Sequence, residues 1–422
     1  MSEFDKVIGY DNIKNDLIQV CDMVKNPEIY KRLGAQIPRG ILLSGDPGLG
    51  KTLLAKCFIK ECGLKTFVIR RNRGTDDFIG KITHAFEEAK DNAPSIVFLD
   101  DMDKFANEDR HHRDAEEYVA VQAGIDEVKN YDVLVIATVN NIDKLPGSLK
   151  RVGRFDRTIE IEVPTEEDAE KIIKHYLKNK ITASDVNLED LGKMFRYSSC
   201  AELETVLNEA AVGAGYLRKS SIEMSDFVNA VLSMQYHAPA DYTKGSKEEI
   251  RKTALHEAGH VVVCEALKEG SVGLVSIRVV EYNGNAGFTH RCKEIEVEDS
   301  ILVCLAGKAA TELYYSDRVA QGCSEDLDRA YRALFSYYSE EGCGGLSLLD
   351  DGVFNGERSE HYISKIEPVI GAALERYLTT ARGIILKNRP FLEKLTEALI
   401  EKETLLYSDI RRIKAETMGK AA

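Results

Sequence analysis

IPRGILLSGDPGLGKTLLAK, residues 37–56, decides how the first half of this chain folds. Ile41, Leu42 and Leu43 form a short apolar run that reads as a buried strand. Gly45-Asp46-Pro47-Gly48-Leu49-Gly50-Lys51-Thr52 follows in the pattern G-x-x-x-x-G-K-[ST], and a helix is expected over residues 53–60. The glycines let backbone N–H groups approach phosphate oxygens where that helix begins. Lys51 is then placed to reach β- and γ-phosphates, and Thr52 to ligate Mg2+. A glycine-rich turn alone would carry little; the strand before it and the helix after it make it a phosphate-binding loop.

Outward from this loop, strands and helices alternate. Residues 12–25 read as a helix, 66–70 as a strand, and 81–90 as a helix closed by Asn92-Ala93-Pro94. Ser95-Ile96-Val97-Phe98-Leu99 is a buried strand ending in Asp100 and Asp101. Carboxylates at such a strand end can hold Mg2+ and polarise water beside a phosphate loop. Further strands are expected at 132–138, ending near Asn140, and at 158–163, after Arg151-Val152-Gly153-Arg154-Phe155-Asp156-Arg157. The alternation predicts an α/β domain: a five-stranded parallel sheet with helices on both faces and ligands at the strand C-terminal ends. It spans residues 1–164. Residues 165–235 read as helices only, a helical lid, and 236–247 as a linker with Pro, Gly and Ser and no periodicity.

The remainder, 248–422, is organised around residues 252–269, KTALHEAGHVVVCEALKE. His256-Glu257-Ala258-Gly259-His260 is an H-E-x-x-H pattern. Positions i and i+4 share a helix face, so both imidazoles can converge on one ion, with Glu257 beside them to take a proton from water. Ala254, Leu255, Ala258, Val261, Val262, Ala266 and Leu267 supply apolar positions at helical spacing. A core helix with two incidental histidines would look similar. A catalytic zinc site needs a third protein ligand, which could be any Asp, Glu or His downstream. Asp326 is preferred, because residues 322–327 open a helix with Ser324 as N-cap; Glu325 and Asp328 are rivals, and Cys323 is a further candidate. A β-like stretch is expected at 271–291 with a turn at Asn283-Gly284-Asn285, and helices from 298 onward.

At 422 residues the chain should hold two or three domains. With 44% apolar and 30% charged residues it has the composition of a globular protein. A net charge of −14 argues against nucleic acid as a main partner. The nine cysteines have no C-x-x-C pair and read as reduced cytosolic thiols rather than a disulfide framework. There is no apolar run long enough to span a membrane, and MSEFDKVIGYDN does not read as a signal peptide. A cytoplasmic protein is therefore expected.

Taken together, the motifs resemble the FtsH family of AAA+ zinc proteases across nearly the whole chain. IPRGILLSGDPGLGKTLLAK looks like that family's phosphate loop, NAPSIVFLDDMD like its metal-binding strand, and ATVNNIDKLPGSLKRVGRFDR like its second region of homology. TALHEAGHVVV looks like its zinc helix, and LAGKAATEL with QGCSEDLDRA like its third-ligand segment. The resemblance implies ATP, Mg2+ and Zn2+ as cofactors and a mostly α-helical metalloprotease domain after the AAA+ domain and its lid. ATP would be bordered by Ile8 and Gly9, by Gly45, Asp46, Pro47, Gly48, Leu49, Gly50, Lys51, Thr52 and Leu53, by Asp100, and by Cys200 and Ala201. Asp101 and Asn140 would act on the γ-phosphate side, and Arg151 and Arg154 would be fingers reaching a neighbour's ATP in a homo-hexameric ring. His256, His260 and Asp326 would hold zinc, with Glu257 the general base. Unfolded or misfolded polypeptides would be the substrates, gripped by Phe78 of an aromatic-x-Gly loop.

Four departures from the family pattern stand out. The metal strand ends Asp-Asp, where the family has Asp-Glu. The gap between Phe78 and the next helix is shorter than the family's. Cys200 stands where the family has Gly next to the nucleotide, and the N-terminal membrane helices of the family have no counterpart here. The resemblance implies an ATP-driven zinc endopeptidase. A zinc peptidase with a slow or silent regulatory ATPase, and a remodelling ATPase with a structural zinc, are the other readings; Glu257 counts against the last, because a structural site needs no base.

Overall fold

The computed structural model describes residues 2–71, 77–106, 115–151, 153–240, 245–280, 286–315, 323–341, 343 and 360–418. The chain divides into two compact units, Met1–Asn179 with Tyr197–Thr205, and Lys180–Arg196 with Val206–Ala422.

In the first unit, α1 (Asp11–Lys25) and the short α2 (Pro27–Arg32) precede β1 (Gly40–Ser44). α3 (Lys51–Cys62), β2 (Lys65–Ile69), α4 (Phe78–Asp91) and β3 (Ser95–Leu99) follow, then α5 (Ala115–Glu127), β4 (Val133–Val139), β5 (Arg157–Glu160) and α6 (Glu166–Leu177). The five strands are all parallel in the order β2-β3-β4-β1-β5. β1, β3 and β4 are buried along their whole length, whereas the edge strands β2 and β5 are partly exposed. The continuous apolar runs follow from that, since a parallel strand covered on both faces has no solvent side. Alternate residues serve opposite faces. Ile41, Leu43, Ile96, Phe98, Leu134 and Ile136 pack with Leu17, Leu54 and Phe58 of α1 and α3, while Leu42, Val97, Leu99, Val135 and Ala137 pack with Ile82, Phe86, Val121 and Ile125 of α4 and α5.

α4 starts three residues before the expected 81, because Asp77 caps it, its Oδ1 accepting from the Gly80 N–H at 2.8 Å. Phe78, expected to grip substrate, stands at this helix start with its ring 7% exposed and packed edge-on against Phe105 at 5.2 Å.

The second unit holds α7 (Leu188–Met194), most of α8 (Cys200–Tyr216), α9 (Met224–Tyr236) and α10 (Lys247–Leu267). β6 (Val272–Val279), β7 (Ala286–Arg291), α11 (Val297–Glu312), α12 (Ser324–Ser339), α13 (Glu360–Lys387), α14 (Arg389–Lys402), β8 (Thr404–Leu406) and α15 (Tyr407–Met418) complete it. The sheet is antiparallel in the order β7-β6-β8. The expected turn at 283–285 lies outside the described residues. β8 has no counterpart in the sequence reading; three residues are too few to show a period, and its register is set by β6, with Val275 opposite Leu405. Within the stretch 165–235, α6 falls in the first unit and α7 and α9 in the second. A contact far away in sequence binds α7 there, since Ser408 donates its N–H and Oγ–H to the buried Asp190 carboxylate at 2.8 and 2.7 Å. Among the described residues no helix is long and apolar enough to cross a membrane.

Candidate metal centre and nucleotide site

α10 opens on a capping box. Ser246 Oγ accepts from the Glu249 N–H, and Glu249 Oε2 accepts from the Ser246 N–H at 2.6 Å. Two open amides are satisfied, which fixes where the helix begins about two turns before His256. From Ala254 to Glu265 it is buried nearly all round. Gly259 lets α11 pack closely, because a Cβ there would stand 2.6 Å from Ala310 Cβ. Gly307 on α11 is more telling: a Cβ there would lie 2.3–2.5 Å from atoms of the His256 ring. Nothing within LAGKAATEL itself marks Gly307 for this role.

His256 Nε2 stands 3.0 Å from Asp326 Oδ2 and 3.0 Å from His260 Nε2, and His260 Nε2 stands 3.2 Å from the same carboxylate oxygen. Among the described residues this is the one His/Cys/Asp/Glu group whose ligand atoms gather as a metal site requires. His260 Nδ1 donates to the Val303 carbonyl at 2.7 Å, which leaves Nε2 as a lone pair facing the centre. Cys323 Sγ lies 3.8 Å from His256 Nδ1. Two imidazole nitrogens and a carboxylate oxygen aimed at one point repel unless positive charge lies between them. Burial, the largest single influence, works against a charged His256, yet the hydrogen bonds with Asp326 and Cys323 and the nearby Glu257 and Asp326 charges together outweigh it and push the imidazole up to about 10. Burial likewise opposes the Asp326 carboxylate, and the His256 and His260 imidazoles beside it hold it well below its ordinary range. The donor set therefore fits zinc: two imidazoles and one carboxylate make the three protein ligands that a catalytic zinc site uses.

Asp326 reaches the histidines from the first turn of α12. Ser324, expected as N-cap, is instead the first helical residue; Cys323 holds the cap position in a helical conformation with no side-chain cap bond. The rivals face elsewhere, Glu325 pairing with Arg329 at 2.6 Å and Asp328 with Arg332 at 2.9 Å. Glu257 is 3% exposed. Burial pushes its carboxyl above the ordinary range, against the pull of His260, His256 and the Thr289 hydrogen bond. Thr289 Oγ1 on β7 donates to Glu257 Oε2 at 2.8 Å. Sequence reasoning missed this partner, which lies 32 residues away on a strand. Gly307→Ala should crowd the His256 ring and lower zinc affinity about 10- to 100-fold, as loss of ligand support does elsewhere; competition with a chromogenic chelator measures it, and parental affinity would show that the close approach is immaterial.

In the first unit the phosphate loop lies between β1 and α3. Gly50 occupies the N-cap of α3 and offers no side-chain cap, so the first amides stay open to an anion. Lys51 Nζ, largely buried, folds back to donate to the Gly45 and Asp46 carbonyls at 2.7 and 2.6 Å. Burial lowers its pKa, and Asp101, Asp103 and Asp46 oppose that. Thr52 Oγ1 donates to Asp100 Oδ1 at 2.9 Å, and Thr138 Oγ1 donates to the same oxygen at 3.0 Å. Asp101 stands in the left-handed region at φ 55, its carboxylate paired with Lys104 at 2.7 Å and accepting from Asn140 Nδ2 at 3.5 Å. Thus Lys51, Thr52, Asp100, Asp101 and Asn140 are brought to one end of the sheet. Leu49 is buried and Leu53 exposed, so neither can be equated with the loop's phosphate-facing amides by its side chain.

Ile8 and Gly9 precede Tyr10, whose hydroxyl donates to the Glu162 carbonyl at 3.0 Å and lies 3.5 Å from Cys200 Sγ. The Ala201 N–H donates to the Gly48 carbonyl at 3.1 Å, so the start of α8 sits on the phosphate loop. The two arginines differ. Arg154 is tied to Asp126 by Nε at 3.0 Å and Nη2 at 2.8 Å, and to the Ser148 carbonyl at 2.7 Å. Arg151 is exposed.

Residues 41–163 match the family described as "ATPase family associated with various cellular activities (AAA)", and residues 244–413 match "Peptidase family M41". Among curated proteins, the chain is 31% identical to "ATP-dependent zinc metalloprotease FtsH 3" of Symbiobacterium thermophilum, over 95% of this chain and 69% of that protein. It is 31% identical to "ATP-dependent zinc metalloprotease FtsH 2" of the same organism, over 97% of this chain and 74% of the relative. With "ATP-dependent zinc metalloprotease FtsH" of Leptotrichia buccalis it shares 32% identity over 97% of this chain and 57% of the relative, so the chain spans little more than half of that protein.

Proposed function

This chain belongs to the FtsH family of ATP-dependent zinc metalloproteases, and from that premise we propose that it unfolds polypeptides at the expense of ATP and cleaves them at the centre formed by His256, His260 and Asp326. The observation that carries the reading is the approach of His256 Nε2, His260 Nε2 and Asp326 Oδ2 to within 3.2 Å of one another, with the buried Glu257 next in the chain. A zinc ion held there supplies Lewis acidity to the scissile carbonyl and acidifies the attacking water. Glu257 takes the proton of that water and passes it to the leaving amine. Thr289 holds the Glu257 carboxylate through Oε2, and Val303 fixes the ring of His260. In the other unit, Lys51 and the open amides of α3 hold the phosphates, Thr52 and Asp100 hold Mg2+, and Asp101 with Asn140 orient the attacking water.

The proposed assembly is a homo-hexamer in the cytoplasm acting on unfolded or misfolded polypeptides. All nine cysteines are free, which suits a reducing compartment. The proposed division of labour is an AAA+ large domain over 1–164, a lid over 165–235, a linker over 236–247 and the peptidase beyond. Arg151 is the better candidate for acting in trans, because Arg154 is already engaged by Asp126. Arg151→Ala should bind ATP and hydrolyse it about 10³-fold more slowly. Mixed with Lys51→Ala subunits, it should regain part of that activity, because an intact arginine then meets an intact loop; no recovery at any ratio would contradict sharing across an interface.

A second reading, a zinc peptidase with a slow or silent ATPase, is favoured by the short Asp101 side chain and its pairing with Lys104. Casein degradation with ATP and without nucleotide separates the readings. Stimulation by ATP supports the proposed function. Equal cleavage in both supports the silent ATPase, and no cleavage in either supports a remodelling ATPase.

A further inference from the structure

Cys21 lies in the last two turns of α1 and Cys62 is the final residue of α3. Both are buried and free, and their sulfurs stand 3.4 Å apart, with the Cys62 thiol donating to Cys21 Sγ. A disulfide needs about 2.05 Å between sulfurs, so the two must approach by a little over 1 Å. The neighbourhood favours a thiolate on one sulfur only. Lys25 and Glu61 form an ion pair at 3.5 Å beside the two thiols. The hydrogen bond from Cys62 lowers the Cys21 thiol pKa, burial opposes this, and the Lys25 charge assists it. Cys62 is held protonated by that same hydrogen bond and by burial. One sulfur is thus set to attack and the other to follow it.

We propose that Cys21 and Cys62 are a peroxide-responsive thiol pair that closes reversibly to an intrachain disulfide between α1 and α3. The oxidant is a hydroperoxide. The Cys21 thiolate attacks the terminal peroxide oxygen, the O–O bond breaks, and the leaving oxygen takes a proton to depart as water or alcohol. Cys21 is then a sulfenic acid. The Cys62 sulfur attacks the Cys21 sulfur, the S–O bond breaks, and the hydroxide leaves as water with the thiol's proton. Two thiols are oxidised by two electrons and one peroxide is reduced. Thiol reductants reverse the bond by exchange. Access is gained at helix ends, where local opening is least costly. Next to Cys62, Glu61 accepts from the Ser2 hydroxyl at 3.0 Å and from the Glu3 N–H at 2.8 Å, so the N-terminal turn is held against this end of α3. The bond would join positions 41 apart in sequence and enclose the whole phosphate loop.

The test is peptide mapping of the native chain after exposure to hydrogen peroxide, quenching, and unfolding in iodoacetamide. Peptides carrying residues 21 and 62 should be recovered joined in most chains, and separately alkylated after dithiothreitol. In Cys62→Ser, Cys21 should instead be trapped as a dimedone adduct. Full alkylation of both cysteines, under an exposure that oxidises the exposed Cys343, would overturn the proposal, as would pairing of either with a different cysteine. The wild-type map decides by itself if Cys62→Ser folds poorly.

Discussion

Glu257→Gln should keep its zinc and lose peptide-bond cleavage by about 10²- to 10⁴-fold, the usual worth of a positioned general base. The residue is buried at 3% exposure and contributes no atom to the His256–His260–Asp326 cluster. Glutamine has nearly the same shape, and its carbonyl oxygen can still accept from Thr289 Oγ1, which donates to Glu257 Oε2 at 2.8 Å. What vanishes is the proton acceptor. ATP hydrolysis should persist, because no residue of the phosphate loop is touched. Casein cleavage, zinc content and ATP turnover measured on one preparation check all three expectations. Parental cleavage by Glu257→Gln would remove the general base from the account.

Lys51→Ala should have the mirror effect, with ATP turnover falling at least about 10²- to 10³-fold, as when one preorganised charge donor is lost from an active site. Lys51 Nζ rests on the Gly45 and Asp46 carbonyls, from which it can turn to a phosphate without moving the backbone. Its charge also faces Asp101, Asp103 and Asp46. Alanine leaves those carboxylates to repel the incoming phosphates. Nucleotide binding, followed with a fluorescent ATP analogue, should weaken together with turnover, and ATP-stimulated casein cleavage should disappear while zinc stays bound. Parental turnover would mean that nucleotide is bound elsewhere.

The parts legible in the sequence are those in which the chemistry is local. Residues 45–52 and 256–260 each carry their function within one loop or two helical turns, and α3 and α10 appear where the apolar spacing puts them. The sheet was equally legible, because a buried parallel strand such as Val133–Val139 is apolar throughout. What escaped depends on distance along the chain. Thr289 supports Glu257 from a strand, Val303 fixes His260 through a carbonyl that any residue would have, and Gly307 matters only because the His256 ring lies over it. The setting of Phe78 was not legible either, because an aromatic-x-Gly sequence looks alike in a loop and at a helix start, and the ring it packs against, Phe105, is 27 residues on. The start of α10 was within reach, since Ser246 and Glu249 have the spacing of a capping box.

Metal analysis of the purified chain, beside Glu257→Gln and Asp326→Asn prepared in parallel, tests the centre most directly. The wild-type protein and Glu257→Gln should each carry close to one zinc per chain. Asp326→Asn should carry far less and cleave no casein, because an amide is a poor substitute for the carboxylate that His256 and His260 face at 3.0 and 3.2 Å. Full zinc occupancy with full cleavage in Asp326→Asn would contradict the three-residue centre on which the proposed function rests.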